Sequence, residues 1–304
     1  MKYKNHFSVM FISSLVTLGL FLSSLAFGEG DQVVPVLQES GTKVTLLDTF
    51  FLDTQNGWAV GAGGTMLRTS DSGATWQPVT RRTPSLLMSI FFSGKSHGWV
   101  VGRNGTVLHS SDGGKKWSLQ MSGTTSPLYG MFFRDQSNGW IVGARGTILH
   151  TKDGGQSWDD QQSGTSADLF GVHFLDQQLG WAVGALGVVL ATMDGGQHWV
   201  QQKTDSAQTF FDIQFLDKQV GWVVGTQGAI FQTVTGGQEW LDKTLPCGSP
   251  CIRPPDFAAF LVSRQYVINH DGYGFRGGSF GSLLLSVVDG LEEKKGLDER
   301  RRHR

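Results

Sequence analysis

Glutamate is missing from a long central stretch of this chain, because residues 41–238 contain none. Glycoside hydrolases generally need a carboxylate pair, or a tyrosine nucleophile helped by glutamate. Most aspartates of the stretch recur every 41 residues, as Asp135, Asp176 and Asp217 do, which is typical of turns. The sequence therefore argues against an enzyme, although a pair of non-repeated aspartates such as Asp48 and Asp212 would still permit glycoside hydrolysis.

Charge and cysteine are scarce as well. Charged residues make up 17% of the chain and the formal net charge is -1, so nothing in the composition supports nucleic-acid binding. The two cysteines, Cys247 and Cys251, could pair across a short loop in an oxidising compartment. They have no histidine cluster nearby, so we predict neither a metal site nor a cofactor.

Helical periodicity is also lacking in the repeat region, and a tryptophan repeat stands in its place. All ten tryptophans fall on two series with a spacing of 41 residues. The first series is Trp58, Trp99, Trp140, Trp181 and Trp222, and the second is Trp76, Trp117, Trp158, Trp199 and Trp240. A fixed period of this length marks a stacked or radial repeat architecture. We expect the tryptophans to fill the wedges between repeats rather than to bind a ligand.

The third copy shows what one repeat forms. Three short runs rich in aromatic and β-branched residues, 128–133, 139–143 and 147–151, predict strands, and a fourth follows Trp158. Four short antiparallel strands in about 40 residues make one β-propeller blade. The predicted fold is therefore all-β. It is a β-propeller of four-stranded blades with a 41-residue repeat, five clear blades and a degenerate or incomplete last blade.

Both ends of the repeat region carry further predictions. We place the propeller at residues 33–245, with 33–38 as a lone outer strand that closes the ring. Beyond Trp240 the tryptophan series fail, since Ser263 and Gly281 occupy the next positions. Residues 246–290 are then either a divergent last blade or a non-native tail produced by a frameshift. Residues 291–304 form a charged, solvated tail.

The N-terminus predicts export. Lys2 and Lys4 precede an apolar run over residues 7–25, and a small-x-Ala sequence ends at Ala26. This pattern predicts a signal peptide covering residues 1–26. The run is almost long enough to span a bilayer, so an uncleaved membrane anchor is the alternative. In both cases we expect the protein in the periplasm or an equivalent lumen.

One motif recurs between the third and fourth strands of each repeat. Ser111-Asp-Gly-Gly-Lys-Lys-Trp117 and its copies resemble the Asp-box, or bacterial neuraminidase repeat. Its aspartate can hydrogen-bond turn amides, so the motif indicates folding rather than chemistry. The fifth copy has lost its aspartate. The structural Asp-box residues are Asp71, Asp112, Asp153 and Asp194, with Trp76, Trp117, Trp158, Trp199 and Trp240.

Each Asp-box is paired with a motif of the type Gly-Trp-Ala-Val-Gly-x-x-Gly, as in residues 57–64 and 180–187. This combination, over residues 33–240, resembles the photosystem II stability and assembly factor family and its relatives outside photosynthesis. The resemblance implies a propeller, usually of seven blades, that acts as an exported scaffold. It also implies membrane-protein subunits or assembly intermediates as partners, and an arginine patch is implicated in some members.

Residues that break the repeat place positive charge on one face of the predicted propeller. Turns between the second and third strands share this face with the connectors between blades. The basic residues predicted there are Lys43, Arg81, Arg82, Arg103 and Arg145. Equivalent positions in other blades are uncharged, as at Ala62, Leu186 and Gln227. Acidic residues gather near the later blades, at Asp159, Asp160, Asp168 and Asp205. Because arginine suits bidentate contact with carboxylates or phosphates, we predict a partner-binding patch, with scattered solubilising charge as the alternative.

Two kinds of side chain that could carry chemistry have plainer interpretations. His109 and His150 share a repeat position in adjacent blades and could approach each other, but other blades hold no histidine there. We therefore predict no metal site. Tyr129 aligns with apolar residues of the other repeats, and we expect it in the core.

These observations predict a monomeric, exported scaffold that binds proteins and assists the assembly or stability of a membrane protein complex. An envelope interaction module without an assembly role is the alternative, and an Asp-box glycoside hydrolase is the more remote one.

Overall fold

The computed structural model describes residues 39–244 of the 304-residue chain. Several predictions fall outside these residues. They are the signal segment 1–26, the lone strand at 33–38, the pairing of Cys247 with Cys251, and both alternatives for the chain beyond residue 245. Within the described part, no helix is long and apolar enough to cross a membrane.

Short strands in this part form five antiparallel sheets of four strands each. Blade 1 contains β1 (Leu46–Phe51), β2 (Gly57–Gly61), β3 (Met66–Thr69) and β4 (Gln77–Pro78). Blade 2 contains β5 (Leu87–Ser93), β6 (His97–Gly102), β7 (Val107–Ser110) and β8 (Ser118–Gln120). Blade 3 contains β9 (Leu128–Phe133), β10 (Gly139–Gly143), β11 (Ile148–Thr151) and β12 (Asp159–Gln161). Blade 4 contains β13 (Leu169–Phe174), β14 (Gly180–Gly184), β15 (Val189–Thr192) and β16 (Val200–Gln202). Blade 5 contains β17 (Phe210–Phe215), β18 (Gly221–Gly225), β19 (Ile230–Thr233) and β20 (Leu241–Asp242).

Each sheet is a meander whose strands pair in chain order. The first strand of each blade packs against the first strand of the next blade, in the order β1, β5, β9, β13 and β17. Sheets that meet along their first strands in this way radiate from a common axis, which is the geometry of a β-propeller. The predicted all-β fold with four-stranded blades is confirmed.

The first tryptophan series joins neighbouring blades. Trp99 lies flat on Phe133 of the next blade, with ring centroids 3.6 Å apart. Trp140 and Trp181 stack in the same way on the equivalent phenylalanines of the blades that follow them. These three indoles are almost completely buried, whereas Trp222 of the last described blade is partly exposed. The large apolar area of each indole therefore holds two sheets together.

The second tryptophan series packs within each blade. Trp158 meets the edge of Phe133 in its own blade, with centroids 6.0 Å apart and an interplanar angle of 87°. Trp117 and Trp199 make the same edge-on contact with their own phenylalanines. Phe133 is thus held between one tryptophan of its own blade and one of the preceding blade. Because every blade needs both contacts, the two series keep the same period.

Candidate binding face

One end of the propeller is built from turns and connectors. The turn between the second and third strands of blade 2 lies beside the connector that enters the same blade, since the Arg103 N–H donates to the Leu86 carbonyl at 2.9 Å. The same turn reaches the next connector, because the Gly105 N–H donates to the Ser126 carbonyl at 3.1 Å. We call this end of the propeller the connector face.

The Asp-box turns lie at the opposite end. The Asp153 carboxylate accepts hydrogen bonds from the Ser157 N–H at 2.9 Å, from the Ser157 hydroxyl at 2.6 Å and from the Thr151 hydroxyl at 2.8 Å. Equivalent amide hydrogen bonds are accepted by Asp71, Asp112 and Asp194. In each case the carboxylate ties the end of the third strand to the start of the fourth.

These hydrogen bonds lower the pKa of the Asp-box carboxyl groups. The hydroxyl and the amide of Ser157 lower the pKa of Asp153 to about 2, and the amide and side chain of His198 lower the pKa of Asp194 to about 2. In the fifth copy Thr235 replaces the aspartate, and its hydroxyl oxygen accepts a hydrogen bond from the following turn at 3.0 Å. The Asp-box residues thus build turns at the end of the propeller away from the connector face.

All five residues of the predicted basic patch are exposed. Arg103 and Arg145 belong to the 3-10 turns Arg103–Gly105 and Ala144–Gly146, between the second and third strands of blades 2 and 3. Arg81 and Arg82 belong to the connector from blade 1 to blade 2, and Lys43 lies just before β1.

The structure brings two of these residues into one cluster with groups of the next blades. The Arg145 N–H donates to Asp168 Oδ1 at 2.9 Å, and its guanidinium donates to the Ser126 hydroxyl at 3.1 Å. The Tyr129 hydroxyl lies 3.4 Å from Asp168 Oδ2. Burial and Asp168 raise the pKa of Tyr129, and nearby Arg103 partly offsets this. Asp168, which the sequence suggests belongs to an acidic sector, therefore sits beside the arginines.

The other basic residues have different surroundings. Arg82 lines a shallow depression on the flank of blade 2 with His109 and Lys116. The Nε of Arg81 donates to the Thr83 carbonyl within its own connector at 3.2 Å. Arg81 and Arg82 thus lie in the connector between blades 1 and 2, whereas Arg145 contacts the groups around Tyr129 directly.

The tip of the turn between the second and third strands has a left-handed backbone in every blade. The tip residues, with φ values of 65°, 58°, 57°, 58° and 59°, are Gly63, Asn104, Arg145, Leu186 and Gln227. Glycine and asparagine accept this conformation readily, whereas a leucine or an arginine is strained by its Cβ. The repeat alignment places Arg145 and Leu186 at one position, but the sequence alone did not reveal that the position is left-handed.

A bulge at the start of each first strand turns one extra residue out of the sheet. In β9 the pairing register passes from Leu128 to Gly130 and leaves Tyr129 without a cross-strand partner. The five bulged residues are partly buried, and they are Leu47, Met88, Tyr129, Phe170 and Phe211. Tyr129 stacks on Phe170 with centroids 5.1 Å apart, and Phe170 contacts Phe211 at 5.6 Å. These contacts run from blade to blade along the first strands of blades 3 to 5, and we call Tyr129, Phe170 and Phe211 the apolar rim.

The expected core position of Tyr129 is therefore wrong. The bulge leaves its ring partly exposed at the end of the propeller, where it stacks on Phe170 and its hydroxyl meets Asp168. The backbones of β9 and β13 approach closely here because Gly130 has no side chain. A Cβ on Gly130 would collide with the Phe170 carbonyl oxygen. The sequence aligned Tyr129 with apolar residues correctly, but it did not show the bulge.

The histidines also pair differently from the expectation. His109 Nε2 lies 3.3 Å from Nδ1 of His97 in its own blade, whereas His150 stacks on Trp140 with centroids 4.5 Å apart. Burial lowers the pKa of His109, with a smaller contribution from His97, and burial lowers the pKa of His150 to about 4. His97 carries no repeat signal, so sequence reasoning missed it. Residues 39–244 contain no group of three or more side chains that could hold a metal ion.

The repeat region matches a known family along most of its length. Residues 35–122, 119–206 and 197–253 match the family described as Photosynthesis system II assembly factor YCF48. The chain belongs to this family. Family membership confirms the resemblance drawn from the paired Asp-box and Gly-Trp motifs.

Individual proteins similar to this YCF48-family chain share a third or less of their aligned residues with it. The photosystem II assembly protein Ycf48 of Thermosynechococcus vestitus is 33% identical over 73 residues, which are 24% of this chain and 20% of that protein. The aligned region thus spans about a fifth of that curated relative. A solved structure of YCF48 bound to D1 peptide is 20% identical, with a TM-score of 0.40, and the match covers 68% of this chain and 82% of that one. A crystal structure of an ancestral GH74 enzyme is 15% identical, with a TM-score of 0.56, and the match covers 69% of this chain and 33% of that one.

The likeness to the GH74 enzyme shows the propeller fold alone. One aspartate that could serve a hydrolase, Asp48, is buried and joins blades 1 and 2 in this YCF48-family chain. Its Oδ2 accepts hydrogen bonds from the Ser89 hydroxyl at 2.8 Å and from the Ile90 N–H at 3.0 Å, and its Oδ1 accepts one from the Thr49 N–H at 2.8 Å. The geometry of Asp48 is that of a structural bridge.

Proposed function

We propose that this YCF48-family chain is a scaffold that docks a segment of a membrane-protein subunit on its connector face. By holding that segment it assists the assembly or stability of a membrane protein complex. The observation that supports the proposal most strongly is that Arg103 and Arg145, with exposed side chains, lie near the partly buried Tyr129 at one end of the propeller.

The arginines are available for a partner. Among residues 39–244 the ion pairs are His198 with Asp194 and Lys203 with Asp205, so neither guanidinium is in a direct ion pair with a carboxylate of that part. The nearby Asp168 carboxylate accepts its hydrogen bond from the Arg145 backbone N–H rather than from the guanidinium. A guanidinium offers a planar set of donors that matches a carboxylate in bidentate fashion. Arg145 is also positioned before a partner arrives, because Ser126 accepts a hydrogen bond from its guanidinium. Less side-chain freedom is then lost on binding.

The positions of the acidic residues in the described part favour a binding function over glycoside hydrolysis. The glutamates of the described part are Glu39 and Glu239, and they lie at its two ends. The Asp-box carboxylates are occupied by turn amides, as at Asp153. A glycosidase needs two carboxyl groups facing one bound sugar, and these aspartates serve turns instead. We therefore infer that the chain acts through a surface, as the assembly-factor family name suggests.

Charge reversal on the connector face tests the proposal. The full chain carrying Arg103→Glu and Arg145→Glu would be applied to an array of overlapping peptides that cover D1, the protein whose peptide is bound in the YCF48 structure described above. We expect the wild-type chain to bind a small set of acidic peptides, and the double variant to bind them about tenfold or more weakly, because attraction becomes repulsion.

The matched control is Lys115→Glu with Lys152→Glu. These lysines are exposed, belong to the same two blades and change the net charge equally, but they lie in the Asp-box turns at the opposite end. Retained binding by this control together with loss in the arginine variant would support the connector face. Equal binding by all three proteins, or no binding by the wild-type chain, would overturn the proposal.

We also propose that residues 1–26 direct export and are removed, which puts the scaffold on the same side of a membrane as exposed subunit segments. The apolar run and the small-x-Ala end at Ala26 support this. Mass spectrometry of the protein recovered from cells that express the full chain should find an N-terminus at Phe27. An N-terminus that retains the apolar run would instead indicate a membrane anchor.

A further inference from the structure

The connector face carries apolar groups beside its arginines, and the proposed function uses only the arginines. Tyr129 and Phe170 of the apolar rim stack at 5.1 Å and remain partly exposed. The tip residue Leu186 is 73% exposed. Exposed apolar groups next to fixed charges are typical of recognition surfaces rather than of solvated ones.

Leu186 is the most informative of these groups. Its backbone is left-handed, with φ of 58°, so the leucine is strained at a position where blade 1 uses Gly63 and blade 2 uses Asn104. Its side chain is mostly in solvent and therefore adds little to the core. The leucine side chain at this position therefore stabilises neither the turn nor the core. Strain of this kind is often kept at sites of function.

The tips and the rim alternate around the connector face. The turn of each blade packs on the first strand of the next blade, so the Arg103–Gly105 turn lies on β9, and the Ala144–Gly146 turn lies on β13. The turn that carries Arg103 is thus beside the strand that carries Tyr129, and Arg145 meets Asp168, two residues before Phe170. The Ala185–Gly187 turn lies on β17 in the same manner. The turns of blades 2 and 3, which carry Arg103 and Arg145, are therefore followed by the turn of blade 4, whose tip Leu186 is apolar.

Resting on the proposed function, we infer that Leu186, Phe170 and Tyr129 form the apolar half of a docking site whose basic half is Arg103 and Arg145. The ligand is an extended polypeptide segment that carries an apolar side chain close to a carboxylate. A small anion would satisfy the arginines but leave the leucine and the aromatic rings in water. A polypeptide segment covers both halves, since its side chains project at regular intervals along an extended backbone.

The substitution that tests this inference is Leu186→Asn. It copies the tip of blade 2, where Asn104 has φ of 58°, so the backbone is preserved. The matched control is Gln227→Asn, which makes the same exchange at the tip of blade 5 without removing an apolar group. With the full chain and the strongest-binding D1 peptide from the array, we expect Leu186→Asn to raise Kd by about three- to tenfold and Gln227→Asn to leave it unchanged.

A change in the peptide completes the test. Replacing the apolar residues of that peptide by serine should weaken binding to the wild-type chain, and Leu186→Asn should then add little further loss, because the two changes remove one contact. If wild type and Leu186→Asn bound the peptide with equal Kd values, and wild type bound the serine peptide equally well, the apolar half of the site would be refuted. The result for the arginine variant would be unaffected. Loss of binding only in the arginine variant would therefore refute this inference alone, and absence of peptide binding by the wild-type chain would refute both.

Discussion

Replacing Leu186 by asparagine should make the propeller more stable. The leucine has a left-handed backbone with φ of 58°, and its side chain is 73% exposed. A left-handed conformation costs a residue with an ordinary Cβ about 1–2 kcal/mol, and asparagine tolerates it better. About a quarter of the leucine side chain is buried, so its removal forfeits roughly 0.5 kcal/mol of apolar burial.

The net gain is therefore about 0.5–1 kcal/mol in the free energy of unfolding, since the relief of strain exceeds the lost burial. For a domain of this size such a gain raises Tm by about 1–4 °C. Differential scanning calorimetry of the full chain, with wild type and variant scanned at the same rate, measures the shift.

The reverse exchange is the control. Asn104→Leu puts a leucine into the equivalent left-handed tip of blade 2 and should lower Tm by a similar amount. If Leu186→Asn left Tm unchanged or lowered it while Asn104→Leu had no effect, the tips would not be strained. The reasoning that assigns Leu186 to a binding role would then fail at its first step.

Three further predictions concern the fold. Trp140→Ala should lower the free energy of unfolding by about 3–5 kcal/mol in urea titrations, and Trp222→Ala by clearly less, because Trp222 is already partly exposed; equal losses would contradict the stacking argument. The pKa of Asp153 is lowered to about 2 in the folded state, so its contribution to stability is present above about pH 4 and lost as pH falls toward 2. Unfolding midpoints of wild type and Asp153→Asn should accordingly differ at neutral pH and converge near pH 2, and a gap that persisted there would exclude this cause. Burial lowers the pKa of His150 to about 4, so the unfolded chain takes up the proton first and stability should fall as pH drops from about 6.5 to 4. His150→Gln should reduce that slope in urea midpoints measured across this range, and an unchanged slope would show that other groups cause it.

The architecture could be predicted from the sequence, because the contacts that define it recur once per repeat. Trp99 stacks on the next blade and Trp158 packs on its own, and each needs a partner at one fixed offset. A 41-residue period in the sequence is the direct consequence of such repeated geometry. The aspartate of each Asp-box bonds residues only a few positions away, so its turn could also be read from the local pattern.

The details of the connector face could not be predicted from the sequence, since they depend on contacts between blades and on backbone register. A bulge in β9 exposes Tyr129, and nothing in the alternation of residues 128–133 signals it. Asp168 belongs to a later repeat, yet it accepts a hydrogen bond from the Arg145 amide because a turn of one blade packs on the next. Leu186 and Arg145 share a repeat position whose left-handed backbone would suit glycine. Because neither residue type is typical of that conformation, the sequence does not reveal it. Burial that recurs with the repeat can be recognised in the sequence. The backbone strain and local charge of a surface depend on which distant segments pack together, so they appear only in the tertiary structure.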